Sequence, residues 1–301
     1  MSILTPAAGE RNSRREANRR QRSLILGRSR LARGGAMTVL VVMALGWLFP
    51  LIWATNSSFR TEADTVALPL QWIPENGFTL EQYIGLFEVG KVQLWMTNSL
   101  IIAVAVTAIT VAVSALAAYA FSRMVFRGRK ALFALTIAAI MVPPQLLIIP
   151  LFDQMVALNL VDTYAAIILP QVVAPIMVFI LKKFFDGIPR ELEEAARMDG
   201  AGPWRVFFSV VLPLSRPILA AVSIFVFINA WNNFLWPFIV TTDPSLMTLP
   251  VGIPNVLDAY GTVYARNMAS SMVAAAPMIV VFLLFQRRIV RSVATTGLGG
   301  Q

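Results

Sequence analysis

The chain has 301 residues, of which 57% are hydrophobic and only 14% are charged. Soluble domains carry roughly a quarter charged residues, so this composition excludes an ordinary soluble protein and predicts a surface that faces lipid. The sequence contains no cysteine and no histidine, which excludes disulfides, imidazole proton relays and thiolate or imidazole metal sites, and its formal net charge is +9.

A basic arm opens the chain: residues 1–34 contain nine arginines. A basic segment next to an apolar stretch is typical of a surface that binds anionic lipid headgroups, and we interpret the arm in this way. RNA binding is the alternative for an arginine-rich arm. The distribution of the other basic residues, given below, favours membrane lipid and predicts no nucleic-acid partner.

Six apolar stretches follow the arm, and none of them contains Asp, Glu, Lys or Arg. A bilayer core takes about 20 helical residues to cross, so each stretch predicts one transmembrane helix. The outer helices of a soluble bundle would need polar faces, which these stretches lack. The predicted fold is therefore an all-α polytopic membrane protein with its permease domain at residues 35–290. The predicted spans are Gly35–Ala54, Trp95–Ser122, Ala131–Phe152, Thr163–Leu181, Ile218–Thr241 and Met268–Phe285.

Basic residues are concentrated in alternate connecting segments. Four such segments hold 22 of the 25 Lys and Arg residues; they are residues 1–34, 123–130, 182–216 and 287–301. Basic segments stay on the cytoplasmic side during membrane insertion. This pattern predicts six transmembrane helices with both termini in the cytoplasm, and it explains the net charge without nucleic acid.

No predicted span carries an ionisable residue at mid-membrane, although ion-coupled carriers usually bind their proton or ion there. This argues against a proton-coupled carrier. A stand-alone carrier that holds sodium with backbone carbonyls stays open as an alternative. A scaffold subunit without a transport path is a second alternative, and the polar residues of the fifth span count against it. Uphill transport by this chain would draw its energy from a partner.

The segment Gly85–Val92 nearly matches the phosphate-binding pattern G-x-x-x-x-G-K-[ST]. Val92 replaces the hydroxyl residue that contacts magnesium, and residues 81–84 do not resemble a buried strand. The distribution of basic residues also places this segment outside the cell. We therefore predict that the chain is not an enzyme and binds no metal, cofactor or ATP itself.

Prolines interrupt the third and fourth predicted spans. A proline removes an amide donor and kinks a helix. Such kinks occur both in gating regions and in static packing, and both interpretations stay open. The prolines are Pro143, Pro144, Pro150, Pro170 and Pro175.

The longest cytoplasmic segment between spans, residues 183–217, is predicted to form two short helices. Pro189 suits the first turn of the first helix, and Gly200 suits the left-handed position after its last turn. Pro203 opens the second helix and Pro213 is predicted to end it. The sequence therefore predicts a compact pair of short helices on the cytoplasmic side of the membrane.

Residue spacing predicts how these two helices are used. Residues at i, i+3, i+4 and i+7 of the second helix predict one apolar face, made of Trp204, Phe207, Phe208 and Val211. Without a partner the two helices would lie on the bilayer surface. The small side chains of Ala195 and Ala196 favour docking instead, because they let another protein approach the backbone closely.

The run Glu194-Ala195-Ala196 is followed by three residues, Gly200, nine residues and the sequence Val210-Val211-Leu212-Pro213. This spacing resembles the signature loop of ATP-binding-cassette importer permeases, E-A-A, three residues, G, nine residues and I-x-L-P. Val210 stands where the family usually has Ile. Three further segments are similar to the sugar branch, whose smaller maltose-type permease is the nearest kind: Leu169-Pro170, Ala230-Trp231-Asn232-Asn233 and Phe285–Val290.

The resemblance implies that residues 183–217, here named the coupling loop, dock on a cytoplasmic ATPase subunit. It implies a membrane complex with a second homologous permease subunit, two ATPase subunits that bind ATP and magnesium, and an extracytoplasmic solute-binding protein. The location implied is a bacterial or archaeal inner membrane, and the tail 291–301 resembles a segment that reaches the ATPases. The docking and coupling residues implied are Glu194, Ala195, Ala196, Asp199, Gly200, Leu212 and Pro213.

The solute implied by the resemblance is a sugar or oligosaccharide, with a glycerol-phosphate-type solute as the alternative. A sugar path needs amide groups and aromatic faces, whereas a phosphate would need Arg or Lys, which no span supplies. The candidate side chains could equally make interhelical hydrogen bonds or contact the partner permease. The candidates are Gln145, Gln171, Asn229, Trp231, Asn232, Asn233 and Trp236.

Overall fold

The computed structural model describes residues 30–89, 91–259 and 263–298. Every regular element in these residues is helical and none is a strand, so the prediction of an all-α chain is confirmed for them. Most of the basic arm and the last three residues lie outside the described residues. The helices are α1 (Arg30–Ser58), α2 (Glu62–Val66), α3 (Glu81–Val89), α4 (Val92–Arg123), α5 (Arg129–Ile140), α6 (Ile148–Ala157), α7 (Tyr164–Ile168), α8 (Pro175–Asp186), α9 (Arg190–Met198), α10 (Pro203–Val206), α11 (Leu212–Leu214), α12 (Arg216–Trp231), α13 (Leu235–Val240), α14 (Leu249–Ala259) and α15 (Tyr264–Leu298).

The chain divides into two compact units, Met1–Ser57 and Ser58–Gln301, which are described separately. In the first unit, α1 has 29 residues, and its segment Gly34–Ser58 has a mean hydropathy of 2.1. This segment is long and apolar enough to cross a bilayer. The hydroxyl of Thr38 donates to the carbonyl oxygen of Gly34 at 3.0 Å, so this polar group is satisfied by its own helix.

Two unbroken helices of the second unit are also long and apolar enough to cross a membrane. They are α4, with 32 residues and a mean hydropathy of 2.6, and the Tyr264–Gln286 part of α15, with a mean hydropathy of 2.2. Three further helix pairs reach the required length only when both members are counted, and they are bent by 98°, 46° and 79°. The described residues therefore contain three to six candidate spans. The backbone of α15 stays helical to Leu298, with no break at residue 290.

The third and fourth predicted spans are broken helices, not continuous ones. In span three, α5 ends at Ile140, and the chain turns by 98° around the pair Pro143–Pro144. The pair ends the helix because proline lacks an amide hydrogen and disfavours helical backbone at the preceding residue. In span four, α8 restarts at Pro175. Pro150 and Pro170 lie in first turns, where the missing amide is not needed.

The fifth predicted span is also broken. Helix α12 ends at Trp231, three non-helical residues follow, and α13 completes the predicted stretch. At its other end, α12 begins at Arg216 after a bend of 79° from the helical segment Pro203–Leu214. The prediction that Pro213 ends this segment is wrong by one residue, because α11 runs to Leu214. Pro213 is the next-to-last residue of this continuous helical segment, after the π-helical turn at residues 207–211.

Helix α4 is the central helix of the second unit and packs against α8 and α12. Its buried face contains several small residues beside branched ones: Ile102, Ala103, Val106, Ala115 and Ala118. Small side chains let helix backbones approach closely, which matters in lipid because apolar burial alone gives no driving force there. The opposite face of α4 exposes large apolar side chains, as a lipid-facing surface requires: Leu100, Val104, Val113 and Leu116.

Two separate groups of loops contact the two ends of α4. Near its N-terminus, the indole Nε1 of Trp95 donates to the carbonyl oxygen of Pro244 at 2.7 Å, and the amide of Asn98 donates to that of Ser245 at 2.8 Å. At its C-terminus, Arg123 donates to the carbonyl oxygen of Ile188 at 2.7 Å. The loop after α13 and the loop after α8 therefore lie at opposite ends of the same long helix.

Candidate functional site

A cavity of about 580 Å³ lies where the predicted spans three, four and five are broken. Ligand cavities of roughly 300–1,000 Å³ are typical of small-molecule sites. Its wall contains residues from each break, namely Pro144, Pro170, Val173, Ala174 and Asn233, and the middle of α4 closes it with Val106. Non-helical backbone at membrane depth is tolerated where it is buried in protein or lines a cavity, so the breaks and the cavity explain each other.

Five of the seven side chains predicted for a solute path line this cavity: Gln145, Gln171, Asn229, Asn233 and Trp236. The amide of Asn233 donates to the side-chain oxygen of Gln171 at 2.8 Å, which joins the break in span five to the break in span four. Gln171 donates in turn to the carbonyl oxygen of Ile167 at 2.8 Å, and Asn229 donates to that of Phe225 at 2.8 Å. Each amide therefore keeps hydrogen-bonding capacity beyond its protein partner.

The other two predicted side chains lie outside the cavity wall. Trp231 is buried, and its indole donates to the carbonyl oxygen of Ala274 on α15 at 3.3 Å. Asn232 returns a hydrogen bond to the carbonyl oxygen of Ile228 at 2.9 Å. Trp231 is the last residue of α12 and Asn232 is its C-cap, where the chain leaves the helix. Their positions are those of helix packing and helix termination.

Thr110 of α4 lines the cavity and was missed by sequence reasoning. It is fully buried, and its hydroxyl has no hydrogen-bond partner among the described residues. Nothing in the sequence distinguishes it, because the same apolar stretch also contains the hydroxyl residues Thr97, Ser99, Thr107 and Ser114. The residues that line the cavity in the described part of the chain include no charged side chain. This wall suits a neutral polar molecule.

The first helix of the coupling loop, α9, ends in a regular capping motif. The amide of Ala201 donates to the carbonyl oxygen of Ala196 at 3.0 Å, and that of Gly200 donates to Arg197 at 2.9 Å. Gly200 has a φ of +79°, which is strained for any residue with a Cβ. These two bonds are the Schellman pattern, so the prediction of a left-handed Gly200 is confirmed.

The residues predicted to dock an ATPase divide between the outer face of the coupling loop and its inner face. Four of them are exposed: Glu194, Ala195, Asp199 and Gly200. Three are half-buried: Ala196, Leu212 and Pro213. Ala196 and Leu212 pack against the core of the unit. The exposed group lies on α9 and its cap, beside the exposed side chain of Met198.

The second helix of the coupling loop does not have the single apolar face that its spacing predicts. Phe207 and Val211 are buried, whereas Trp204 and Phe208 are 68% and 59% exposed. Residues 207–211 form a π-helical turn. Such a turn is wider than an α-helical one, so side chains spaced for an α-helix leave the common face. The prediction of one face is therefore wrong.

The segment that resembles a phosphate-binding loop, Gly85–Val92, begins inside a helix and is not preceded by a strand. Residues Glu81–Val89 form α3. A phosphate-binding loop needs a strand before it and a helix after it. The geometry agrees with the sequence argument that the match is accidental.

Residues 110–295 match the model of the family described as binding-protein-dependent transport system inner membrane component. The chain belongs to this family. The matched range includes the coupling loop and most of the cavity wall, from Thr110 on α4 to Trp236 on α13.

The relatives of this permease include sugar transport permeases. The chain is 37% identical to the arabinooligosaccharides transport system permease protein AraQ of Halalkalibacterium halodurans, over 84% of this chain and 91% of that protein. It is 35% identical to the trehalose/maltose transport system permease protein MalG of Thermococcus litoralis, over 87% of this chain and 95% of that protein. The match therefore extends well beyond the family segment.

The fold of the permease is also known from a solved structure. A bacterial ATP-binding-cassette transporter that imports the acidic polysaccharide alginate contains a chain that matches with a TM-score of 0.75. That match covers 86% of this permease and 98% of the other chain at 21% identity, so it shows a shared fold. The family is a component of a multi-protein importer, which decides against the stand-alone carrier. Its relatives are permease subunits and not enzymes.

Proposed function

We propose that this permease forms half of the translocation path for a neutral sugar or oligosaccharide. The match of residues 110–295 to the binding-protein-dependent family carries the proposal. The sugar class is inferred from the relatives, which are permeases for arabinooligosaccharides and for trehalose or maltose. The proposed solute enters the cavity at the breaks in spans three, four and five.

The chemistry of the cavity supports a neutral solute. Amide groups can donate to and accept from sugar hydroxyls, and the Trp236 ring offers an apolar face to a sugar ring. A glycerol-phosphate-type solute would be bound best by Arg or Lys, and the described residues of the wall include neither. We therefore favour the neutral solute over the phosphorylated one.

The proposed complex contains four kinds of protein besides the membrane lipid. A second, homologous permease subunit completes the path, two cytoplasmic subunits bind and hydrolyse ATP with magnesium, and an extracytoplasmic protein delivers the solute. This chain performs no hydrolysis in the proposed scheme. The exposed residues Glu194, Ala195, Asp199 and Gly200 seat on an ATPase subunit, while the half-buried Ala196, Leu212 and Pro213 fix the coupling loop to the spans.

The proposed topology has six spans and both termini in the cytoplasm. Helices α1, α4 and α15 are single spans, and the three broken spans are α5 with α6, α7 with α8, and α12 with α13. The alternation of basic segments supports it, since 22 of 25 basic residues fall in alternate segments. The contacts at the two ends of α4 agree, because the loop after α13 and the coupling loop lie at opposite ends. The proposed location is a bacterial or archaeal inner membrane.

Alanine variants of two amides in the same span test the proposed path. Asn229 lines the cavity and Asn232, three residues later, does not. Because a lost neutral hydrogen bond is worth about 0.5–1.5 kcal/mol, Asn229→Ala is expected to lower oligosaccharide uptake by roughly three- to tenfold. Asn232→Ala is the matched control and should keep normal uptake. The measurement is ATP-dependent uptake of labelled neutral oligosaccharides by the complete importer in proteoliposomes.

Two results would contradict the proposed function. One is uptake of a phosphorylated solute in preference to every neutral saccharide tested. The other is equal uptake by both alanine variants and the unmodified importer, which would remove the cavity from the path.

A further inference from the structure

A buried ion pair joins the C-terminal end of α4 to the coupling helix α9. The Nε of Arg123 lies 2.8 Å from the Oε1 of Glu193, and the two side chains are only 4% and 5% exposed. The Nε–H group is not aligned with the carboxylate as a hydrogen bond requires, so the contact is mainly electrostatic. Glu193 directly precedes the signature run Glu194-Ala195-Ala196 and points to the opposite side, into the protein.

The same guanidinium also holds the end of α8. Arg123 donates to the carbonyl oxygens of Phe185 at 2.5 Å and Ile188 at 2.7 Å. Carbonyl groups at the end of a helix have no partner within that helix. Arginine has five donors in a planar fork and can therefore serve the carboxylate and both carbonyls together. One side chain thus connects α4, the end of α8 and α9.

The last two turns of α4 make further contacts around this pair. The hydroxyl of Ser122 donates to Asp186 of α8 at 2.7 Å. The hydroxyl of Tyr119 donates to the carbonyl oxygen of Pro203 at 3.2 Å, and its ring centroid lies 4.9 Å from that of Phe207. Both helical segments of the coupling loop are therefore attached to the same end of α4.

Separating Arg123 from Glu193 would leave a charge buried without its partner, which is unfavourable in a site that water does not reach. Sliding of α9 along α4 is disfavoured for this reason. Helix α4 also forms part of the cavity wall through Thr110. The 13 residues from Thr110 to Arg123 correspond to about 20 Å along the helix axis, and a continuous helix transmits displacement over that length.

We propose that Arg123 and Glu193 are positioning residues that make the coupling loop, the end of α8 and α4 move as one body. Displacement of α9 by an ATPase subunit is then carried along α4 to the cavity wall. The inference rests on the proposed function, because it assumes that α9 receives force from an ATPase. It adds the path by which that force leaves the coupling loop.

Three variants that replace charged side chains by neutral ones test the Arg123–Glu193 connection in the complete importer: Arg123→Gln, Glu193→Gln and the double variant. The measured quantity is ATP hydrolysed per solute imported in proteoliposomes, together with the yield of the purified complex. Coupling between two sites typically changes an equilibrium by a factor of about 5 to 150. Each single variant should therefore raise the ratio of ATP hydrolysed per solute imported roughly fivefold or more. The double variant strands no charge, so its complex yield should return to normal while its ratio stays high.

Lys182→Gln is the matched control, because the ion pair between Lys182 and Asp186 at 2.7 Å lies within α8, and its loss leaves the hydrogen bond from Ser122 to Asp186 and the Arg123–Glu193 contact in place. Its ratio should equal that of the unmodified importer. A double variant that restores both yield and ratio would reduce the pair to a stabilising role and overturn the inference. Absence of ATP-dependent uptake by the unmodified importer would count against the proposed function instead.

A cross-link provides a second test that does not depend on losing the ion pair. The chain has no cysteine, so Tyr119→Cys with Phe207→Cys creates one pair that a short thiol cross-linker can join. If α4 and the coupling loop move together, the cross-linked importer should keep the uptake of the same variant before cross-linking. Uptake that is lost on cross-linking and returns on cleavage of the linker would show that the two slide past each other.

Discussion

Single residues of this permease hold loops to helices at both ends of the bundle. Asp162, between α6 and α7, accepts from the amide and hydroxyl of Thr242, both at 2.5 Å, and from the amide of Asp243 at 2.9 Å. It does so from a left-handed conformation with a φ of 57°. These bonds hold the pKa of the Asp162 carboxyl below its usual value, with the Thr242 hydroxyl as the first cause. One carboxylate thereby ties the loop between predicted spans three and four to the loop that follows predicted span five.

Asp162→Asn should lower thermal stability at neutral pH. The amide keeps the shape but turns one acceptor oxygen into a donor that faces the Thr242 and Asp243 donors. Because the site is partly exposed to solvent, the expected loss is about 1 kcal/mol. The measurement is the unfolding temperature of the purified protein in detergent, and Asp153→Asn, at an exposed aspartate of α6, is the control.

The lowered pKa of Asp162 also predicts how the stability difference between the unmodified protein and Asp162→Asn depends on pH. A carboxyl with a lowered folded-state pKa contributes stability that is fully present above its unfolded value of about 3.9. That contribution is lost as the pH falls through the lowered folded-state pKa. The difference between the unmodified protein and Asp162→Asn should therefore shrink below about pH 4. A constant difference down to pH 3 would contradict the assigned role.

At the scale of elements, helix breaks and caps are where the permease departs from simple apolar spans. The breaks in spans three to five create the cavity, and the capped helix α9 exposes Glu194, Ala195 and Asp199. Gly200 sets the geometry between α9 and α10, because its left-handed φ of +79° turns the chain after the last helical carbonyls. The coupling loop is therefore a defined structure and not a flexible connection.

Ala195→Arg should uncouple the importer while leaving its fold intact. Ala195 is exposed on α9, so a long cation there blocks close approach of an ATPase subunit without entering the core. Ala196 would be a less specific target, because it packs against the core. We expect loss of ATP-dependent uptake at normal expression, and reduced co-purification of the ATPase subunits.

Val125→Arg is the control for this variant, since it adds the same charge to the 96% exposed Val125, in the loop between α4 and α5. It should keep normal uptake. Normal uptake by Ala195→Arg as well, at equal expression, would refute the docking role of this face of α9.

At the scale of the whole molecule, the arrangement of spans determines which loops can meet an ATPase and which can meet a solute-binding protein. The apolar exterior of α4 and the unpaired apolar side chains of α15 suit a lipid environment, and basic residues cluster in alternate segments. Six spans with cytoplasmic termini would place the coupling loop on the side where ATP is found.

Single cysteines can test this topology directly, because the natural chain has none. Val125→Cys and Met198→Cys, at positions 96% and 87% exposed, should react with a membrane-impermeant maleimide only from the cytoplasmic side. Ile73→Cys and Leu158→Cys, at positions 76% and 62% exposed, should react only from outside. The measurement is labelling of intact spheroplasts against inside-out vesicles. Reaction of Met198→Cys in intact spheroplasts would exclude the proposed coupling to a cytoplasmic ATPase.

The sequence by itself determined the all-α class, because long apolar stretches without charged residues can satisfy their backbone in lipid only as helices or closed barrels. It also determined the left-handed Gly200 and the family, since both depend on local spacing around the signature run. It predicted five of the residues that line the cavity by residue type alone. Local chemistry is sufficient for features of this kind.

Only the tertiary structure decided which polar residues meet. Asn229 and Asn232 are the same residue type, yet Asn229 lines the cavity and Asn232 is the C-cap of α12. The difference arises because the helix ends between them. In the second helical segment of the coupling loop, Phe207 and Val211 are buried while Trp204 and Phe208 are exposed, which α-helical spacing does not predict. The contact of Arg123 with Glu193 joins residues 70 positions apart, and such a pairing follows from how helices pack rather than from any local pattern.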